Sequence, residues 1–159
     1  MKAEKHVICE KPLVSSLKEV DELEKISKET GKIIFPVFQY RYGLGFSKLK
    51  TLIKSGLAKK PLVASLETHW NRGKDYYSKP WRGTWEGEQG GAILSHSIHI
   101  HDLVSMILGP VSNVFAKLST RVNDIEVEDC AAISIEMENG TLVTSSITLG
   151  AANDTSRLR

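Results

Sequence analysis

Cysteine is nearly absent from this chain, with only Cys9 and Cys130 in 159 residues. They lie far apart, each inside an apolar run, and are expected as reduced, buried thiols of an intracellular protein rather than as a disulfide frame. No apolar run approaches the roughly 18 residues of a membrane span, and the start, MKAEKHVICEKP, lacks the apolar stretch of a signal peptide. A cytoplasmic protein without a membrane partner is the expectation. Neither sign of charge dominates: 21 basic and 19 acidic residues are interspersed, for a formal charge of +2. Nucleic acid is therefore not an expected partner, since no basic stripe follows a phosphate backbone. A GxGxxG turn is missing as well, and so is an acidic residue placed after it to meet an adenosine ribose. There is no internal repeat and no low-complexity segment.

What remains is an ordinary globular composition, 41% hydrophobic and 25% charged, of about one domain. His6 to Glu10 is short, apolar and β-branched, and predicts a buried strand that meets Lys11-Pro12. Ser16 stands three residues before Glu19 as a capping box, and Leu17, Val20, Leu23 and Ile26 recur at helical spacing up to Gly31. Ile33 to Phe38 returns to a β pattern in which Pro36 favours an edge or a bulge. This is one βαβ unit, and one such unit cannot bury both faces of a parallel sheet, so the chain is expected to be truncated at its start.

From Gly45 to Gly56 the pattern predicts a short helix on Phe46, Leu49, Leu52 and Ile53, and Leu62 to Trp70 a strand. Asn71 to Gln89 is long, irregular and aromatic, and loops of that length usually carry function. Val111 to Thr120, Asp129 to Glu138 and Thr141 to Leu149 alternate as strands, with Asn139-Gly140 as a hairpin turn. The tail AANDTSRLR is expected to have no structure of its own. The fold class is thus α/β (α+β): one βαβ unit, then a mostly antiparallel sheet backed by helices.

The chemistry concentrates in GGAILSHSIHIHDL, Gly90 to Leu103. On a regular helix Ser95, His99 and Asp102 share one side with His96 beside them, while His101 points elsewhere. His99 can take and give a proton near neutral pH, with Asp102 close enough to orient it. Two other readings stand beside this one. A buried histidine needs only a hydrogen-bond partner, and His96, His99 and Asp102 offer metal ligands, although not at a known zinc spacing. Lys11 follows a strand and precedes a proline, where ligands bind in open α/β folds. Arg41, between two tyrosines, and Arg82, after Trp81, can each hold hydroxyls or a carboxylate, or stack on the neighbouring rings.

HVICEKPL at 6–13, VFQYRY at 37–42, WRGTWEGEQGGAIL and the His99/Asp102 helix together resemble the glucose-fructose oxidoreductase/inositol dehydrogenase/MocA family. The resemblance implies the end of a Rossmann domain at residues 1–40 followed by an α/β domain at 41–159, and a nicotinamide cofactor, NAD or NADP, with Glu10, Lys11, Pro12 and Gln39 on the cofactor side. It implies a sugar or cyclitol substrate, met by Arg41, Trp81, Arg82, Ser95, His96 and Asp102, and a homo-oligomer formed through the antiparallel sheet. By the same resemblance His99 is the acid/base and Lys11 the lysine whose ammonium favours the developing alkoxide, so both are catalytic. Many relatives carry aspartate where this chain has Ser95. The glycine-rich turn of the family lies upstream of EKP, which marks the chain as a fragment. The alternative is a non-catalytic oligomerisation or ligand-binding module.

Overall fold

The computed structural model describes all 159 residues and divides them into two compact units, Met1–Phe38 and Gln39–Arg159. In the first unit, strands β1 (Val7–Cys9) and β2 (Ile34–Pro36) run parallel, with Ile8 opposite Phe35, and are linked by helix α1 (Leu17–Thr30). The helix begins where the capping box places it. Ser16 Oγ accepts from Glu19 N, and the Glu19 carboxylate accepts from Ser15 N and from both serine hydroxyls. Those bonds, the Ser15 hydroxyl foremost, hold the Glu19 carboxyl below its ordinary pKa. Gly31 stops the helix at φ 64°, a left-handed turn that costs glycine nothing. No residue of this unit is fully buried, and Ile8 is 78% exposed. A two-stranded parallel sheet with one helix leaves its apolar side chains open, as the argument about sheet faces requires.

The second unit carries a five-stranded sheet in the order β4-β5-β6-β3-β7, made of β3 (Val63–Asn71), β4 (Val111–Ser119), β5 (Cys130–Met137), β6 (Leu142–Thr148) and β7 (Gly150–Leu158). Only β3 and β6 pair in parallel; the other three ladders are antiparallel. Gly140 closes the β5–β6 hairpin at φ 83°, and Asn139 Oδ1 accepts from Thr141 N. Helix α2 (Leu44–Lys54) buries only Phe46. Helix α4 (Ile98–Leu108) lays Ile100, Val104 and Leu108, spaced by four, against Ala64, Leu66, Met137 and Val143 of the sheet. A second cluster joins Ala92 to Ala131, Ile133, Ile147 and Leu149.

Three expectations are overturned. The strand in His6 to Glu10 is not buried, since Ile8 faces open space on a two-stranded sheet. The tail is not structureless, because Gly150–Leu158 forms β7 alongside β3, with Ser65 and Arg159 exchanging backbone bonds of 2.9 and 3.0 Å. Its small and polar side chains give no β pattern; the backbone ladder orders it, with Asp154 accepting from Asn71 N, Ser156 from the Trp70 ring N–H, and Leu158 packed on the core. Cys9 and Cys130 are unpaired thiols, as expected, but both are only half-buried. No helix is long and apolar enough to cross a membrane.

Beside the core, His101 turns toward the sheet, where its Nε2 lies 2.9 Å from Ser145 Oγ. Burial pushes its pKa below 6.5. Between the folded value and 6.5 the unfolded chain therefore binds a proton that the folded chain does not, and stability falls as pH drops through that window. The urea midpoint of the wild type is expected to fall from pH 7.5 to 5.5 by more than that of His101→Gln; an equal fall in both would contradict the assignment.

Candidate functional site

The histidine segment starts at a crowded point. Helix α3 (Trp85–Glu88) ends at Gln89, in the left-handed region at φ 58°, and the chain then passes through Gly90 and Gly91. A Cβ on Gly91 would lie 1.9 Å from the Glu128 carbonyl oxygen. That approach lets Glu128 receive three consecutive backbone donors. Its Oε2 accepts from Gly91 N at 2.9 Å, its carbonyl from Ala92 N at 2.8 Å and its Oε1 from Ile93 N at 3.0 Å. These are amides that a helix start leaves without partners. The neighbouring Asp129, fully buried, accepts from the amides of Arg121, Val122 and Asn123 and so fixes the adjoining loop.

Ile93–Ser97 is then a π-helical turn rather than the first α-turn of a straight helix. Ser95 Oγ donates to Gly91 O at 2.7 Å, and Ser97 Oγ to Ile93 O at 3.1 Å. A wider turn breaks the single stripe expected from regular spacing. The polar side chains fall into two groups.

In the first group, Tyr40 stacks on His99 with ring centroids 4.9 Å apart and planes at 27°. Arg41 grips Asp102 with both ends of its fork, Nε to Oδ2 at 2.7 Å and Nη2 to Oδ1. These hydrogen bonds raise the pKa of the Arg41 guanidinium. Both side chains come from the one-turn segment Gln39–Tyr42. Both oxygens of Asp102 are engaged by Arg41, whose planar fork fits a carboxylate.

In the second group, His96 Nδ1 lies 2.6 Å from Ser95 Oγ, and its ring meets Trp70 edge-on at 5.2 Å and Tyr76 at 5.6 Å. Arg82 stacks on Tyr76 at 3.9 Å and on Trp81 at 4.4 Å, hydrogen-bonds the Tyr76 hydroxyl, and has the Glu88 carboxylate at 3.5 Å. Burial pushes the Tyr76 and Tyr77 hydroxyls above the ordinary phenol pKa. Trp70, Arg72 and Glu128 escaped the sequence reading. The signal for Glu128 was present, since Glu128-Asp129 put two carboxylates directly before an apolar strand, where burial demands partners. Lys11, Glu10 and Pro12 follow β1 in the other unit, where the Lys11–Pro12 peptide is cis, and Gln39 opens the second unit. No three His, Cys, Asp or Glu side chains converge as metal ligands.

Comparison with known proteins gives two family matches: the GFO/IDH/MocA C-terminal domain over residues 46–159, and the oxidoreductase family NAD-binding Rossmann fold over 1–38. Myo-inositol 2-dehydrogenase of Thermotoga maritima is 32% identical over 147 residues, covering 89% of this chain and 42% of that protein. The 2,7-anhydro-N-acetylneuraminate hydratase of Escherichia coli is 27% identical over 150 residues, covering 90% and 39%. Among solved structures, the WlbA dehydrogenase of Chromobacterium violaceum, in complex with NADH and UDP-GlcNAcA, superposes with a TM-score of 0.87 at 30% identity, over 96% of this chain and 44% of that one. The chain thus spans about two-fifths of the length of the curated relatives it matches. With the C-terminal domain matched over 46–159 and the NAD-binding fold over 1–38, the chain belongs to the GFO/IDH/MocA family of oxidoreductases.

Proposed function

We propose that this chain serves hydride transfer between NAD or NADP and the hydroxyl or carbonyl of a sugar or cyclitol, with His99 as the acid/base. The observation that carries the reading is the setting of His99. It is 3% exposed, is stacked by Tyr40, and follows a π turn whose entry amides are held by Glu128. An imidazole titrates near pH 6.5, so it can accept the hydroxyl proton during oxidation and return it during reduction. Trp81, Arg82, Ser95 and His96 border the substrate, while Arg41 and Asp102 hold each other and keep the turn carrying Tyr40 in place.

The residues present suit one end of a dinucleotide. A bound nicotinamide would accept or donate the hydride, and the carboxyl ends of parallel strands are where open α/β folds take such ligands. Glu10, Lys11 and Pro12 stand at that end of β1, and Lys11 brings an ammonium that favours a developing alkoxide.

The relatives' names, a myo-inositol dehydrogenase and a dehydrogenase held with NADH and UDP-GlcNAcA, support the substrate and cofactor classes. An assay of the chain with NAD, NADP and a panel of sugars and cyclitols tests the reading. Saturable nicotinamide binding and slow turnover are expected, and His99→Ala should lower turnover by about 10²–10⁴-fold. Unchanged turnover would remove the role of His99. A folded chain that neither binds nor turns over would leave the second reading, a non-catalytic module.

One observation favours that module, or an oligomeric enzyme, as a second copy's partner. The outer sheet face aligns Phe115, 76% exposed, with Ser134 and Thr144, and beside them the paired Leu142 and Val63, 55% and 66% exposed. A flat face of small side chains with apolar members suits sheet-on-sheet packing. Light scattering is expected to give a multiple of the 17.6 kDa chain mass, reduced to one chain by Phe115→Lys; a monomeric wild type would dismiss the interface.

A further inference from the structure

The second polar group holds more cationic capacity than a neutral sugar requires. Arg72 lies over the Trp70 ring at 4.8 Å and over the Tyr76 ring at 5.4 Å, and Arg82 over the same Tyr76 at 3.9 Å. Two guanidiniums thus share one tyrosine, with His96 against that tyrosine and against Trp70. Stacking fixes a guanidinium plane while leaving its N–H donors pointing outward in that plane.

The donors in use are on one side only. Arg72 engages Asn71 O at 2.5 Å and the Asp154 carboxylate at 3.0 and 3.1 Å, all through Nη1. Arg82 reaches the Tyr76 hydroxyl and, at 3.5 Å, Glu88, again through Nη1 alone. The other Glu88 oxygen accepts from Gly83 N at 2.6 Å. The Nε and Nη2 edge of each arginine, the pair of parallel donors that matches a carboxylate or phosphate, has no acceptor within the protein. Both side chains are about one-fifth exposed, at 20% and 22%, so neither is sealed from solvent. Arg72 and Tyr76 also line an open cavity of about 520 Å³ together with Lys74 and one carboxylate, Asp75.

We propose that Arg72 and Arg82 form an anion subsite, and that the sugar or cyclitol taken by this chain carries a carboxylate or a phosphate received by their outward edges. The inference rests on the sugar-oxidoreductase reading and adds the charge of the substrate to it. Asp154 and Glu88 hold the two arginines through Nη1, and both guanidiniums lie against Tyr76. His96 lies between this subsite and the His99 turn, within one helical turn of the acid/base.

Binding of four probes to the 159-residue chain, followed by tryptophan fluorescence and calorimetry, tests the proposal: glucose, myo-inositol, glucuronate and glucose 6-phosphate, with inorganic phosphate as a control. At least one anionic probe is expected to bind about tenfold or more tighter than the neutral ones, as charge-assisted pairs do. That preference should collapse in Arg72→Gln/Arg82→Gln, while Arg72→Lys/Arg82→Lys, which keeps both charges and guards against a simple folding defect, retains a part of it. Whether glucuronate or glucose 6-phosphate leads tells carboxylate from phosphate. Equal binding of neutral and anionic sugars would overturn the subsite and leave the oxidoreductase reading standing. Binding of none by the folded chain would overturn both. Inorganic phosphate binding as tightly as glucose 6-phosphate, or a preference that survives the double glutamine variant, would overturn the assignment of these arginines to a substrate.

Discussion

The contact between Glu128 and the Gly91–Ile93 backbone is the constraint on which the site depends. A carboxylate and a carbonyl from one residue take three consecutive amides, and this is sterically open only because residue 91 has no side chain. Once the start of the segment is held there, the chain enters a π turn and emerges as α4 with its apolar face on the sheet. The extra width of that turn separates His96 from His99. One imidazole goes to the aromatic and arginine group around Tyr76, and the other goes under Tyr40. Hydrogen bonds to a charged carboxylate are worth about 1.5–3 kcal/mol each, enough to decide between two local helix geometries.

Much of the fold was legible because it is written in periodicities and stop signals. Ser16, Glu19 and Gly31 delimit α1 through hydrogen bonds and a backbone angle that few other residues supply, and Asn139-Gly140 does the same for a hairpin. The last strand was illegible for an equally physical reason. β7 contributes mostly Ala, Asn, Asp, Thr and Ser to the sheet, with Leu158 at its end, and what orders it is chiefly the ladder of β3 beside it. A sequence pattern reports side-chain burial, and an edge strand held by its backbone has little to report.

At the site, the residue types were legible and their partnerships were not. Histidines, arginines and aromatic residues stood out, yet which arginine meets which carboxylate depends on chain segments far apart: Arg41 and Asp102 are 61 residues distant. The π turn was invisible for a related cause. Regular helical spacing is the default, and a departure from it is imposed by a tertiary contact, here with Glu128, 35 to 37 residues further along the chain. The family resemblance singled out His99 and Lys11 as expectations without either contact, and the structure adds what fixes the segment that carries His99.

The most direct measurement of this account is amide hydrogen exchange at Gly91, Ala92 and Ile93 in the wild type and in Glu128→Ala, read together with the NMR signals of the His96 and His99 rings. If Glu128 holds the segment, the variant should exchange at Gly91 and Ile93 faster by roughly ten- to hundredfold through local opening, and both imidazole environments should change while the sheet stays protected. Unaltered protection and unaltered histidine signals in a folded Glu128→Ala chain would show that the segment keeps its shape without that carboxylate.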